Sequence, residues 1–345
     1  MSTIYTQKQF NVNNFDLLRL IAATQVIIDH YFQHLNIPIG NLGLQFLYLL
    51  PGVSVFFIIS GYLISASYER NNNLRIYLKN RLFRILPGLW GCIIISIIVI
   101  SLTGVSFFNK QVLTWLPTQL FGIIYTPGFL NNYGFGSYNG SLWTIPIELQ
   151  FYLLLPTLFF VLPKKRFYYW LAGLILIFVL FNIIYQLTNF KPVAEKLIGY
   201  SFIPHFYLFL TGVLLQKLRI YNWFYIYNKA QYWIIAYIAF CFSPFHYINP
   251  AVFLVIKNLI LAVTVLSIAY TMPHLSAQLL RTNDISYGVY IYHGLILTVV
   301  VQQKWVGYIN VFYVIFLAYF LGFLSWKFIE KPLLKKKEKT IRAVD

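Results

Sequence analysis

Charge is what this 345-residue chain has least of, at 10% Asp, Glu, Lys and Arg, where a soluble domain carries about 25%. With 59% apolar residues and a mean hydropathy of +0.68, too little polar surface remains to wrap a water-soluble fold. Acidic groups are the scarcer sign, 9 against 26 basic ones, for a net charge of +17. In a soluble protein that balance points to nucleic acid. In a chain this apolar it reads as basic loops holding the cytoplasmic side of a membrane, and no nucleic-acid partner is expected. Cysteine is nearly absent. Cys92 and Cys241 both lie in apolar runs, which excludes a disulfide scaffold, and no metal-ligand spacing occurs, so no metal is expected. The first apolar run follows Asp16 and Arg19 without a small-residue cleavage site, and reads as a retained helix rather than a signal peptide. No hydrophilic stretch is long enough for a second domain, so residues 1–345 are expected to form one membrane-embedded domain.

What is abundant is apolar sequence in lengths that suit a bilayer, about 20 residues per span. The runs predict ten helices, over 15–35, 44–67, 86–108, 142–162, 167–188, 201–217, 230–245, 251–271, 285–302 and 308–328. The fold class is therefore an all-α polytopic membrane protein. Charge sets the orientation. With the N-terminus cytoplasmic, the inner loops hold Arg70, Arg75, Lys79, Arg81 and Arg84, then Lys164, Lys165 and Arg166, then Lys217, Arg219 and Lys229, then Arg281. The tail adds Lys331, Lys335, Lys336, Lys337, Lys339 and Arg342, and the outer loops hold only Lys110, Lys191, Lys196 and Lys304. Ten spans with both termini inside satisfy the positive-inside rule at every loop. The organisation expected is a basic cytoplasmic loop at 68–85, a long outer loop at 109–141 and a basic cytoplasmic tail at 329–345. The second half of the outer loop is rich in Gly, Asn and Tyr.

An ionisable group at the centre of a membrane helix costs about 2.5–3.5 kcal/mol on insertion scales, so each one needs a reason. The first helix carries Asp16, Arg19, Asp29, His30 and His34. Arg19 and His30 are eleven residues apart, close to three full turns, and so share a face about 16 Å apart along the axis. Histidine titrates near neutrality and is the natural general base. The fourth helix places Glu148 and, one turn on, Tyr152 on one face. That carboxylate either orients His30, takes part in proton transfer, or forms a structural ion pair with a lysine such as Lys257. The ninth helix sets His293 near mid-membrane with Tyr287 and Tyr290 on its face. A histidine there supports a site or satisfies a neighbouring helix by hydrogen bonding. Ser60 and Gly61 in the second helix read either as close helix packing or as a pocket wall. Lys79, Arg81 and Arg84 precede Pro87 at the mouth of the third helix. They are membrane anchors or, because guanidinium forks match phosphate oxygens, donor-binding residues.

Together these segments resemble the acyltransferase 3 family of membrane acyltransferases. The resemblance rests on FDLLRLIAATQVIIDH, GVSVFFIISGYLI, LKNRLFRILP, SLWTIPIELQFYLLLP, DISYGVYIYHGLI and FIEKP, in the family's order and spread over almost the whole chain. Asp29, immediately before the candidate histidine, is unusual against that pattern. The resemblance implies transfer of an acyl group, usually acetyl from acetyl-coenzyme A, onto a hydroxyl of O-antigen, capsule or other surface carbohydrate, free or lipid-linked. Acetyl-CoA enters as a substrate, and no bound cofactor is implied. On this reading His30 and Glu148 are catalytic, Arg19, Tyr152 and His293 support them, and Lys79, Arg81 and Arg84 bind the donor. His30 either activates the hydroxyl directly or first accepts the acyl group. The outer loop would offer Tyr and Asn to the sugar. Some relatives carry an extra extracytoplasmic domain. This chain ends soon after its last helix, so a stand-alone enzyme in the inner membrane, or one served by a separate glycan-synthesis partner, is expected. A transporter or flippase for a lipid-linked glycan would use similar polar helix faces, with internal repeats and paired broken helices, and neither is evident in the sequence. A structural subunit would not need ionisable groups kept inside the membrane.

Overall fold

The computed structural model describes residues 10–70, 73–281 and 283–335, all helix, turn and irregular backbone with no strand among them. The tail residues Lys336, Lys337, Lys339 and Arg342 lie outside the described residues. Helix α1 (Phe15–His34) is followed by a short α2 (Asn41–Leu47) and by α3 (Gly52–Arg70). The long α4 (Leu74–Leu102) and the short α5 (Lys110–Leu120) come next, then α6 (Thr144–Val161) and α7 (Phe167–Leu187). The chain continues through α8 (Pro192–Gly199), α9 (Phe206–Lys217), α10 (Ala230–Cys241), α11 (Pro250–Ala269) and α12 (Leu275–Leu280), and closes with α13 (Ser286–Gln302) and α14 (Val311–Ser325). Local chemistry marks several starts. The side chains of Asn109, Asn249 and Asn310 accept from the backbone N–H of Gln111, Ala251 and Phe312, as N-caps do. Pro192 and Pro250 occupy first-turn positions where a missing N–H costs nothing.

Each of the ten apolar runs contains a helix, but the bounds differ in instructive ways. The third begins at Leu74, twelve residues before the expected 86. Most of the basic stretch 68–85 is therefore helical, since α3 runs to Arg70 and α4 starts at Leu74. At 29 residues α4 is about 43 Å long, well beyond the roughly 30 Å hydrocarbon core, and its basic first turns are the surplus. Pro87 lies inside this helix rather than at its start. Membrane helices tolerate such a break because neighbouring groups satisfy the backbone. The stretch 109–141 contains α5 and two short 3-10 turns, and so is partly helical.

Six segments are long and apolar enough to cross a membrane: Asn41–Arg70, Leu74–Leu102, Gly140–Val161, Phe167–Leu187, Pro250–Ala269 and Val311–Lys335. A seventh is added if Pro192–Gly199 and Ile203–Lys217, bent by 53°, are one broken span. Helices α10 and α13 are apolar but shorter. The chain is a multi-pass membrane protein.

Two compact units share the chain. The first takes the chain up to Ala22, Leu49–Leu74 and Gln150–Thr282, and the second takes Ala23–Tyr48, Arg75–Leu149 and the chain from Asn283 onward. In the first unit α3 and α9 touch backbone to backbone. A Cβ on Gly61 would collide with the Phe209 carbonyl, and one on Gly212 with the Ile58 carbonyl. Gly61 is thus a helix-packing residue, and small residues permit such close approach in membranes. Ser65 donates to Gln216 at 2.9 Å across the same contact. In the second unit α13 and α14 make an equally close approach, the Cα of Gly322 standing 2.7 Å from where a Gly288 Cβ would be.

The segment just before α6 is laid along one face of α13. Asn139 donates to the Ile291 carbonyl at 2.8 Å, Thr298 donates to the Ser137 carbonyl at 2.8 Å, and the Gly134 N–H donates to Gln302 at 2.9 Å. Positions 291, 298 and 302 lie within about 40° of one another around a helix. Gly134 has φ +59° and its missing Cβ would overlap Thr298, so only glycine fits this point. Tyr133, Tyr138 and Asn139 are buried and hold the segment in place instead of facing outward to a sugar. Burial pushes the Tyr138 phenol above its ordinary range, and it donates to Gln119 at 2.8 Å.

Candidate active site

The histidines carry the site. His30 near the end of α1 and His293 in the middle of α13 meet inside the second unit, with 3.0 Å between His30 Nδ1 and His293 Nε2. His293 is 0% exposed, whereas His30 is half-buried and keeps a route to a ligand. The face of α13 that carries His293 is a consequence of spacing. It lies two residues, 200° of helix, beyond Ile291, whose carbonyl is held by the segment before α6. The Tyr290 ring meets His293 edge-on at 5.6 Å. The Tyr290 hydroxyl pairs with Thr144 at 3.0 Å, at the start of α6. Four residues along α6, Glu148 lies within electrostatic reach of that phenol. Tyr152 follows one turn on and is 2% exposed.

His34, one turn beyond His30, belongs to the same cluster. Its ring centroid is 4.9 Å from that of His30, and its face is stacked on Phe135 at 4.1 Å with 1° between planes. Phe135 sits between Gly134 and Gly136, both at positive φ, which lets the chain double back over the histidine. Sequence spacing gave His34 a marginal place at the interface and did not single out Phe135. The signal available was the Gly-Phe-Gly triplet. Asp29 is turned elsewhere, with Gln33 donating to it at 2.9 Å.

The remaining candidate residues are held by other partners. Arg19, about three turns before His30 on α1, donates to Asp16 at 2.9 Å. On α4, Arg84 is ion-paired with Asp284. The same carboxylate accepts from the Ser286 hydroxyl at 2.5 Å and its N–H at 3.3 Å, so one acid both binds the first residue of α13 and holds the arginine. Lys79 lies 6.0 Å from the Phe83 ring centroid, and Arg81 is half-buried on the same helix. Tyr287 donates to the Ile85 carbonyl at 2.9 Å, tying α13 to α4. The closing motif forms a π-turn over Trp326–Glu330, whose buried Glu330 accepts from Ser325 at 2.9 Å. Asn283 accepts from Trp326 at 3.1 Å and from Lys331 at 2.9 Å.

A half-buried imidazole hydrogen-bonded to a fully buried one, inside a bundle of apolar helices, is equipment for proton or group transfer within a membrane. The class the fold defines is that of multi-pass integral membrane proteins, here with a histidine pair held among the helices. The chain belongs to the family described as the acyltransferase domain, whose model matches residues 12–329, and it is an acyltransferase. It is 31% identical to nodulation protein 10 of Rhizobium leguminosarum bv. viciae, over 94% of this chain and 93% of that one. It is 23% identical to an O-acetyl transferase of Shigella phage Sf6, over 94% and 96% of the two chains. It is 25% identical to a peptidoglycan O-acetyltransferase of Listeria monocytogenes, over 97% of this chain but 57% of the relative. No solved structure matches the chain.

Proposed function

We propose that the protein moves an acetyl group from acetyl-CoA to a hydroxyl of a cell-surface or lipid-linked carbohydrate, such as O-antigen, capsule or exopolysaccharide. The observation that carries this reading is the paired His30, half-buried and backed by His293, in a chain of the acyltransferase family. Similarity to an O-acetyl transferase and a peptidoglycan O-acetyltransferase supports acetyl as the group and carbohydrate as the acceptor.

In the proposed reaction His30 takes the proton of the acceptor hydroxyl as its oxygen attacks the acetyl carbonyl carbon. The carbon–sulfur bond then breaks, and the departing sulfur of coenzyme A receives the proton back from His30. Products are the O-acetyl carbohydrate and free coenzyme A, with His30 restored. Glu148 would favour the transient imidazolium, with Tyr152 on α6 and Tyr290 on α13 as supporting groups. On the cytoplasmic side Lys79 and Arg81 would meet the donor phosphates, with Arg84 fixed behind them. The topology proposed is ten spans with both termini cytoplasmic, in the inner membrane, and the Lys/Arg asymmetry of the loops supports it.

The test is transfer by the purified protein in lipid nanodiscs, given acetyl-CoA labelled in the acetyl group and candidate polysaccharides. Labelled O-acetyl groups on the glycan and stoichiometric release of coenzyme A are expected. Passage of a lipid-linked glycan across the bilayer with no acetyl incorporated would replace this reading with that of a flippase.

A further inference from the structure

Two hydrogen-bonded imidazoles have only two neutral arrangements. In one, His30 donates from Nδ1–H to the lone pair of His293 Nε2, so His293 carries its own proton on Nδ1. In the other, the proton of the contact belongs to His293 Nε2, and both far nitrogens exchange roles. The surroundings of His293 distinguish them. Its Nδ1 is buried, with no hydrogen-bond partner among the described residues, and on a helix the side chain leans back over the preceding turn, where the carbonyls of Tyr290 and Val289, three and four residues back, point toward it. Carbonyl oxygens accept and do not donate. A lone pair on Nδ1 would face their negative ends with no water to intervene, whereas an N–H there meets them favourably.

We infer that His293 is a positioning residue that fixes the tautomer of His30: His293 holds its proton on Nδ1, accepts from His30 Nδ1–H with Nε2, and so leaves the lone pair of His30 on Nε2. This rests on the reading of His30 as the general base, and deepens it by naming the atom that acts and the residue that selects it. Isolated imidazole favours neither nitrogen strongly, and a base in the wrong tautomer presents an N–H to the hydroxyl it should deprotonate. When His30 Nε2 takes the acceptor proton, the Nδ1–H···Nε2 bond to His293 is retained and becomes charge-assisted. That bond therefore strengthens in the transition state, when it accelerates the reaction most. No proton crosses between the two rings, and His293 ends the cycle as it began.

The measurement uses the full-length protein in nanodiscs with 15N-labelled histidine. The expected spectrum has His30 Nδ1 as a protonated, pyrrole-type nitrogen and Nε2 as a pyridine-type one. A wild-type protein with the assignments reversed would overturn the inference, and this needs no variant to fold. Side-chain geometry supplies the second arm. A glutamine amide oxygen reaches where His293 Nε2 stands and can only accept, while asparagine reaches the Nδ1 position. His293→Gln is expected to keep near wild-type turnover, and His293→Asn and His293→Leu to lose about 10–100-fold in kcat with the KM for acetyl-CoA unchanged. Equal damage from His293→Gln and His293→Leu in well-inserted protein would show that packing, not tautomer, is what His293 provides. The parent reading fails separately, if His30→Ala itself transfers acetyl normally.

Discussion

The start and the middle of α13 treat their ionisable groups in opposite ways. At the start, Asp284 is 8% exposed and pairs with Arg84, and hydrogen bonds from Ser286 occupy the same carboxylate. Nine residues on, about 14 Å along the helix, His293 spends its outward nitrogen on His30 and leaves that partner half-buried. The first cluster consumes its polar atoms in holding α4 to α13. The second uses one buried ring to present another. The motif rich in charge is thus a clamp between two helices, and the nearly uncharged pair leaves one ring half-buried.

The comparison is broken most directly at His30. His30→Ala is expected to lower the rate of acetyl transfer by about 10²–10⁴-fold while leaving insertion and thermal midpoint close to wild type. Matched loss of folded protein would move His30 to the scaffold side. On α4 the two arginines should part company. Arg81→Ala is expected to weaken acetyl-CoA binding by roughly 1.5–3 kcal/mol, seen as a rise in donor Kd by titration, and Arg84→Ala to change donor affinity less than stability. Identical Kd shifts for both would return Arg84 to the donor site. Asp284→Ala leaves Arg84 without this carboxylate and the first residue of α13 without its acceptor, and should cost about 1–3 kcal/mol in chemical or thermal unfolding of the detergent-solubilised protein, with little change in kcat per folded molecule. The smallest effect is expected at the edge of the histidine cluster. His34→Ala keeps the His30–His293 bond and removes the stack on Phe135 and the edge contact with His30, so turnover should fall by roughly fivefold or less, well short of what loss of a general base removes. A loss equal to that of His30→Ala would put His34 in the reaction.

Much of this was legible before any coordinates. Periodicity put an unexplained histidine on α1, and apolar run lengths located every helix that frames it. What could not be read was which distant residues meet. His293 looked as much like a helix-packing group as a site residue, because the identity of its partner, 263 positions away, is a tertiary fact. Asp284 drew no notice because an acid two residues before a helical serine is an ordinary feature of a helix start. Asn139 and Tyr138 suggested a sugar-facing loop by composition, yet both are buried, since composition does not say whether a polar side chain faces water or a backbone carbonyl. The start of α4 was misplaced because charged residues ended the apolar run while the helix itself continued, its extra turns standing in the interface.

The span between the two histidines also sets a timetable. His30 leaves the ribosome early and His293 only 263 residues later, roughly 13–53 s at 5–20 residues per second. During that interval the nascent chain acquires α3, α4 and α6 in turn, but His30 has no imidazole partner. The pairing of the two rings therefore waits for one of the last helices, α13, and a chain cut short before it never forms the His30–His293 contact.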